Sequence, residues 1–161
     1  MLDTTRRGFL ALTAAALLAA CTPTSDTRAP QQTTFEFTGT TSERVTAIAK
    51  LLGGLSKLPS TPIDANAVEV KIGDGELGPS DYVRFIALRI DSTDAQRWKD
   101  AAKGLVQRPQ YSEPITRPAW WVSQLDYEKL TFRGVSAFTE VEDGWMGVHD
   151  DGRVFVVLIT R

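Results

Sequence analysis

The chain is poor in the residues that build metal sites and covalent cross-links, with one cysteine and one histidine among its 161 residues. A disulfide needs two cysteines, so the folded part must be stabilised by its hydrophobic core. Protein metal sites draw on several His, Cys or carboxylate ligands, so we predict neither a metal nor another cofactor. His149 precedes Asp150-Asp151-Gly152 and is interpreted as an imidazole at the end of a hairpin, hydrogen-bonded to a neighbouring acid.

The chain also lacks a strong charge of either sign and the short motifs of common enzyme classes. Its 18 basic and 20 acidic side chains give a net charge of −2, so no basic face for nucleic acid is predicted. No Gly-x-Ser-x-Gly elbow, Walker loop or dinucleotide fingerprint is present, and we predict no catalytic residue. The acidic pairs Glu142-Asp143 and Asp150-Asp151 are expected at opposite ends of one strand, roughly 20 Å apart at about 3.3 Å per residue, so each is interpreted as a turn.

The N-terminus has the three-part layout of an export signal. Arg6 and Arg7 precede the apolar run Gly8–Ala20, which ends in small residues directly before Cys21. The tetrapeptide Leu18-Ala19-Ala20-Cys21 resembles the lipobox of bacterial lipoproteins. The resemblance covers only the first 21 residues, and it implies cleavage before Cys21 and attachment of lipid to its sulfur. The alternative is a transmembrane helix, but the 13-residue run is shorter than the ~20 residues that a bilayer core needs.

The start of this signal, Thr5–Leu10, resembles a twin-arginine export signal, because two adjacent arginines are followed by one free position and then by Phe and Leu. The alternative is an ordinary secretory signal that contains two arginines by chance. Thr22, rather than an aspartate, follows the cysteine, and in the lipoproteins of enteric bacteria this would indicate the outer membrane. We expect an exported protein that is anchored by lipid to a membrane of the bacterial cell envelope.

Composition divides the chain into three parts. We predict a signal peptide over 1–20, the lipidated cysteine with a flexible tether over 21–33, and one globular domain over 34–161. The tether is rich in Thr, Pro, Ser, Gln and Asp and has almost no apolar surface to bury. Phe35 and Phe37 alternate with polar residues, which predicts a short, half-buried strand where the domain begins.

Two amphipathic helices are predicted. Thr40 and Glu43 have the spacing of a capping box, and Gly53-Gly54 should stop the first helix near Leu52. The apolar residues at helical spacing are Val45, Ile48, Ala49, Leu52 and Leu55. The second helix should be capped by Ser92 or Thr93, and its predicted inner face consists of Ala95, Trp98, Ala101, Ala102 and Leu105.

The remaining segments have the patterns of strands. Val68, Val70 and Ile72 alternate with charged residues, which predicts a strand with one wet face, whereas Tyr82–Ile90 is apolar on both phases and should lie in mid-sheet. Between them, the acidic loop Gly73–Pro79 lacks the ligand spacing of a calcium loop.

The C-terminal third predicts a three-stranded antiparallel meander. Apolar runs over 134–141, 145–149 and 153–160 are separated by Asp143-Gly144 and Asp151-Gly152, and Asp-Gly between strands indicates a tight hairpin turn. The predicted fold class is therefore α+β, a mostly antiparallel sheet of five or six strands with two helices on one face, ending in this meander.

The segment from 106 to 121 has three prolines, two arginines and three aromatic residues, which is typical of a covering or recognition loop. Neighbouring residues of an extended chain point to opposite sides, so at most one of its two tryptophans should be fully in the core. The candidate binding residues are Arg108, Tyr111, Arg117, Trp120 and Trp121. The alternative is that a tryptophan closes the edge of the sheet and the prolines stiffen the loop.

Two hypotheses of function remain at this point. The preferred one is a non-catalytic, membrane-tethered binding domain that recognises an envelope protein through this loop. The alternative is a small-ligand carrier or an enzyme whose pocket is assembled only in three dimensions, from polar residues such as Tyr82, Arg84, Arg89, Asp126 and Tyr127. A deep pocket with convergent arginines and a carboxylate would favour the alternative, and a flat aromatic patch would favour the first.

Overall fold

The computed structural model describes residues 32–72, 81–102, 104, 107–139 and 143–160. Predictions about the signal peptide, Arg6, Arg7 and Cys21 fall outside these residues, as do those about the loop 73–79, Leu105 and Glu142. In the described part, no helix is long and apolar enough to span a bilayer.

One antiparallel sheet organises the described residues, in the strand order β1-β2-β3-β6-β5-β4. The strands are β1 (Gln32–Glu36), β2 (Asp64–Ile72), β3 (Asp81–Arg89), β4 (Thr131–Gly134), β5 (Asp143–Val148) and β6 (Arg153–Thr160). The helices are α1 (Thr41–Leu51), α2 (Ala95–Ala101) and the single turn α3 (Gln124–Tyr127), and Leu55–Lys57 and Ser92–Asp94 form 3₁₀ turns. The predicted α+β class with a mostly antiparallel sheet is confirmed, and β3 lies in mid-sheet as expected.

α1 begins and ends where the sequence predicts. The side chain of Thr40 accepts a hydrogen bond from the Glu43 backbone N–H, and the Glu43 carboxylate accepts one from the Thr40 N–H at 2.8 Å, which completes the capping box. The helix ends with Leu52 as its C-cap. Leu55 does not continue the buried face, because it lies in the following 3₁₀ turn and is 43% exposed.

The start of α2 differs from the prediction. Asp91, rather than Ser92 or Thr93, provides the cap, and its carboxylate accepts a hydrogen bond from the Thr93 N–H at 2.9 Å. This cap begins the 3₁₀ turn, which leads directly into α2. Ala95, Trp98 and Ala102 are buried as predicted, but Ala101 is exposed.

The predicted C-terminal meander is present as β4-β5-β6. Its first strand is Thr131–Gly134 instead of 134–141, because the chain leaves the sheet after Gly134 and buries Val135 and Phe138 on the side of α1 and α2. Asp143-Gly144 lies inside β5, so it is not the predicted turn. Asp151-Gly152 does form a turn, with Gly152 at φ +87°.

Both faces of the sheet are packed against other parts of the chain. In β2, Val68 and Val70 are buried as predicted, but Glu69 and Lys71 are half-buried instead of fully exposed, and Ile72 is 36% exposed. On the helix side, α1 and α2 pack on the sheet around residues such as Ile48, Trp98 and Ile86. On the opposite side, which we call the aromatic side, Val68 and Val70 of β2 are buried beneath the loop that follows α2. The aromatic side is formed by Val68, Val70, Phe85, Ala87, Trp121, Val122, Tyr127, Leu130, Phe132, Trp145, Phe155 and Val157.

The first strand begins earlier than expected. β1 starts at Gln32, inside the segment 21–33 that was predicted as tether, and pairs with β2. Phe35 is 53% exposed and does not contribute to a core. Phe37 lies just after the strand and packs against the helix-side core, so only one of the two phenylalanines has the expected burial.

Candidate functional site

The segment that follows α2 covers the aromatic side and is fixed there by Trp121. This indole is 3% exposed and contacts the rings of Phe85 and Phe155 edge-on, at centroid distances of 5.2 Å and 5.6 Å. Its Nε1 donates to the backbone oxygen of Ser112 at 3.0 Å, which closes the loop on itself. Trp121 is therefore a core residue and does not offer the exposed binding surface that was considered for it.

The chain at Trp120 and Trp121 is a turn instead of the extended segment that was expected, and the Trp121 N–H donates to the Pro118 backbone oxygen at 3.0 Å. Trp120 packs on the outside of the aromatic-side core. It is half-buried and meets Trp121 edge to face, with the ring centroids 6.1 Å apart. Its Nε1 is buried but has no hydrogen-bond partner among the residues that the structure describes. The prediction that at most one of the two tryptophans is fully in the core is confirmed.

The predicted binding residues Tyr111, Arg108 and Arg117 are engaged in contacts within the protein. Tyr111 is half-buried, and its hydroxyl lies 2.9 Å from both the Val122 backbone oxygen and a Glu113 carboxylate oxygen, so it can donate to either. Arg108 donates to the Glu128 backbone oxygen at 3.0 Å, and Arg117 is 3.5 Å from Glu113.

Burial raises the pKa of two tyrosines, one in the loop and one beneath it. Burial raises the pKa of Tyr127 to about 12, and its hydroxyl donates to the Pro109 backbone oxygen at 2.7 Å. Burial, together with the hydrogen bond to Glu113, raises the pKa of Tyr111. Both phenols therefore stay neutral at physiological pH, and they act as hydrogen-bond donors that hold the loop.

A cleft of about 270 Å³ lies on the aromatic side, where Trp120 overhangs the ends of β2, β3 and β6. We call it the arginine cleft. It is lined by Asp64, Asn66, Ala87, Leu88, Arg89, Ala119, Trp120, Trp121, Arg153 and Phe155. Strand register brings six of these residues together in two rows. In the first row Asp64 pairs with Arg89 and Arg89 pairs with Arg153, and in the second row Asn66 pairs with Ala87 and Ala87 pairs with Phe155. Asp64, Arg89 and Arg153, which we call the charged row, form one end of the cleft, and the small side chain of Ala87 leaves space beside the aromatic rings.

The charged side chains of the arginine cleft differ in whether they have a partner of opposite charge among the described residues. Asp64 accepts a hydrogen bond from Arg44 at 2.6 Å, and Arg153 donates to Asp151 at 2.8 Å and to Asp126 at 3.2 Å. Arg89 is exposed and has no hydrogen bond or ion pair through its side chain in the described part of the chain. Arg89 is therefore the one cleft arginine whose charge is not matched by a carboxylate of the described protein.

The carboxylates around Arg153 remain ionised over a wide pH range. Hydrogen bonds from Lys129 and Arg153 lower the pKa of Asp126 to about 2. Burial alone would lower the pKa of Arg153, but its bonds to Asp151 and Asp126 raise it above the ordinary value. The Arg153 end of the cleft is an ion network, and it adjoins Arg89, which has no side-chain partner among the described residues.

A second, wider depression lies on the other side of Trp120. This edge groove of about 520 Å³ runs between the loop and the edge strand β1. It is lined by Thr34, Glu36, Val68, Thr116, Arg117, Pro118, Ala119 and Trp120. Of the five predicted binding residues, Trp120 lies in both depressions, Trp121 lines only the cleft, and Arg117 lines only the groove.

Of the polar residues predicted for a three-dimensional pocket, one lines the arginine cleft. Arg89 does so directly, and Asp126 contributes through its bond to Arg153. Arg84 lies elsewhere and donates to Glu69 at 2.6 Å, and Tyr127 lies among the rings of the aromatic side. Four further lining residues were not predicted from the sequence: Asn66, Ala87, Arg153 and Phe155. They could be identified only from the register in which the strands pair, because that register brings them together.

His149 and the pair Asp150-Asp151 lie at the predicted hairpin turn, whereas Asp143 lies in β5 instead of the predicted turn and Glu142 is outside the described residues. Nδ1 of His149 lies 2.9 Å from an Asp151 carboxylate oxygen at the turn before β6. Asp150 forms an ion pair with Lys99, which lowers the pKa of its carboxyl. Asp143 lies at the opposite end of β5 from this turn. Among the described residues, no group of three His, Cys, Asp or Glu side chains is arranged to hold a metal ion.

Comparison of the chain with protein-family models, with curated proteins and with solved structures finds no match.

Proposed function

We propose that the protein is an exported lipoprotein whose domain binds a small ligand and is held at a membrane of the bacterial envelope through Cys21. The anchor is supported by Arg6-Arg7, the apolar run and the lipobox-like Leu18-Ala19-Ala20-Cys21. Ten residues, 22–31, separate Cys21 from the start of β1 at Gln32. Fully extended, they reach about 35 Å, so the domain stays close to the membrane surface.

The arginine cleft is the observation that carries the ligand-binding role. A concave site that combines apolar walls with a few polar groups is typical of small-molecule binding. Here two arginines and a carboxylate share the cleft with Trp120, Trp121 and Phe155. This combination is the feature that distinguishes a ligand carrier from a domain that presents a flat aromatic patch.

Binding without catalysis agrees best with the side chains of the cleft. The carboxylate of Asp64 already accepts a hydrogen bond from Arg44 at 2.6 Å, so it is engaged within the protein. Asn66, the two arginines and the rings of the cleft are suited to hold and orient a ligand. The lining residues provide no hydroxyl, thiol or imidazole as a nucleophile.

The anchor can be tested by labelling with a palmitate analogue. The full chain, produced in a bacterial host, is expected to incorporate the label and to sediment with membranes. Cys21→Ser should abolish both, because the thiol is the attachment point. Label that persists on the Cys21→Ser protein would refute lipidation at this residue.

The ligand-binding role can be tested by ¹⁹F NMR on the full chain labelled with 5-fluorotryptophan and purified in detergent. Single Trp→Phe variants assign the four indole signals. A panel of cationic, neutral and anionic small molecules is then added. Occupation of the cleft should shift the Trp120 and Trp121 signals and leave that of Trp98, which is buried on the helix side, unchanged. If no compound shifts the two cleft signals selectively, the ligand-binding role is wrong.

A protein-interaction domain is the second candidate, and the edge groove is the observation in its favour. β1 is an edge strand, and edge strands present unpaired backbone groups on which a partner can dock. The exposed Arg117 and the half-buried Trp120 lie beside it. Capture of one envelope protein by the full chain, lost in Arg117→Glu and retained in Arg97→Glu on the helix side, would support this candidate. Equal capture by both variants would refute this use of the groove.

A further inference from the structure

We propose that the arginine cleft binds a small molecule that carries a carboxylate on a planar apolar ring, with the carboxylate at Arg89 and the ring against Trp120. This inference rests on the ligand-binding role proposed above and specifies the chemistry of the ligand.

The first argument concerns the uncompensated charge at the end of the cleft. Arg89 lies directly opposite Arg153 in the pairing of β3 with β6. Like charges at directly opposed positions of neighbouring strands repel each other. Arg153 is neutralised by Asp126 and Asp151, and the nearby Asp64 bonds to Arg44. A bound anion would provide the partner that the described protein does not supply for Arg89.

The second argument concerns the kind of anion. Arginine presents its N–H groups in a planar fork, which matches the two oxygens of a carboxylate and forms paired, charge-assisted hydrogen bonds. Asn66 is next to Asp64 on the same strand face and also lines the cleft, so its amide can bond a further polar group of the ligand.

The third argument concerns the rest of the ligand. Beyond the charged row, the half-buried ring of Trp120 forms one wall of the cleft, and Ala87, Trp121 and Phe155 form its floor, with Trp121 only 3% and Phe155 only 1% exposed. The indole of Trp120 favours a planar partner, which can stack on it or meet it edge-on. The volume of about 270 Å³ limits the ligand to one or two fused rings with a short acidic arm.

Trp120 supplies a fourth argument. Its indole N–H has no hydrogen-bond acceptor among the described residues, so no hydrogen bond fixes the ring in place. It is held by packing, including the edge-to-face contact with Trp121. Trp120 can therefore adjust to a ligand, while Trp121, which is bonded to Ser112, forms the rigid part of the floor.

The test compares matched acids and amides on the fluorotryptophan-labelled full chain. The probes are benzoate and naphthalene-2-carboxylate, with benzamide and 2-naphthamide as neutral counterparts of the same shape. We expect the carboxylates to shift the Trp120 signal saturably and the amides to bind at least tenfold more weakly. Arg89→Gln should weaken carboxylate binding at least tenfold, and Arg89→Lys should recover part of it.

Arg97→Gln is the matched control, because Arg97 is an exposed arginine of α2 on the helix side. It should leave carboxylate binding unchanged. Amides that bind as well as the acids, or equal binding by the Arg89→Gln and Arg97→Gln proteins, would overturn the proposed chemistry. If only cationic or neutral panel compounds shift Trp120, this inference fails and the ligand-binding role stands. If nothing shifts it, both fail.

Discussion

The indole rings of Trp120 and Trp121 meet edge to face at 6.1 Å, yet only the N–H of Trp121 has a hydrogen-bond acceptor among the described residues. The two residues are neighbours in sequence and identical in chemistry. Their different surroundings assign them different roles, because Trp121 holds the loop on the sheet and Trp120 forms a wall shared by the cleft and the groove.

This difference predicts unequal effects of the same substitution. Trp121→Phe leaves the Ser112 carbonyl without its donor and should lower the free energy of unfolding by about 1–3 kcal/mol. Trp120→Phe removes a buried N–H that has no described partner, and it should change the free energy of unfolding by less than about 1 kcal/mol. Urea unfolding of the two variants under the same conditions checks this. A loss for Trp120→Phe as large as that for Trp121→Phe would contradict it.

A second prediction concerns Gly144, which the structure places inside β5. Its φ is +148°, and a Cβ built on it would lie 1.9 Å from the Val157 backbone oxygen of β6. Gly144→Ala should therefore lower the free energy of unfolding by about 3 kcal/mol or more, because the paired strands must separate locally.

Gly54 is the matched control for this substitution. Its φ is +100°, but a Cβ there would have no atom of the described residues within 4 Å. Gly54→Ala should lower the free energy of unfolding only by the strain of the backbone, about 1 kcal/mol. Equal losses in thermal or urea unfolding would show that contact with Val157 does not determine the requirement for glycine at 144.

Features that depend on neighbouring residues could be predicted from the sequence. The capping box of Thr40 and Glu43 and the turn at Asp151-Gly152 need only a few adjacent positions, and both are present. Asp143-Gly144 has the same local pattern as Asp151-Gly152, but it lies in a strand where a close backbone requires the glycine. The dipeptide pattern cannot distinguish these two uses.

The cleft depends on contacts between distant positions. Arg89 and Arg153 are 64 positions apart and become neighbours only through the register of β3 with β6. The alternation within β2 predicts that Val68 and Val70 are buried, but not that the loop after α2 is what covers them. The prediction that Trp120 and Trp121 are not both fully in the core is confirmed, but the two residues lie in a turn and not in the extended chain from which the prediction was argued.

A third prediction concerns the acid sensitivity of the ion network beside the cleft. Hydrogen bonds from Lys129 and Arg153 lower the pKa of Asp126 from 3.8 to about 2. A lowered pKa in the folded state means that the stabilisation is present above the unfolded value and is lost as the pH falls toward 2. Stability measured between pH 5 and 2 should thus decline more steeply for the natural chain than for Asp126→Asn.

Glu128→Gln provides the control for this experiment, because Glu128 is an exposed acid next to the same helical turn. Its pH profile should run parallel to that of the natural chain. Parallel profiles for the natural chain and Asp126→Asn would mean that Asp126 does not hold Arg153 through its charge.

The fourth prediction uses two arginines that lie near Asp64. Arg44 donates to the Ala65 and Gly39 backbone oxygens at 2.8 Å and 2.7 Å, and to the Asp64 carboxylate at 2.6 Å. Arg89 is paired with the same residue by strand register but has no bond through its side chain in the described part. Arg44→Gln should lower the free energy of unfolding by about 1–3 kcal/mol, because buried and charged hydrogen bonds are lost.

Arg89→Gln should instead leave the free energy of unfolding within about 0.5 kcal/mol, and slightly raise it at low salt, because repulsion from Arg153 disappears. The gain should vanish near 1 M salt, where the Debye length is about 3 Å. Urea unfolding at low and high salt measures both effects. A salt-independent loss of more than about 1 kcal/mol would show that Arg89 has a structural role. Retained stability would instead mean that any loss of ligand binding in this variant is due to the missing charge.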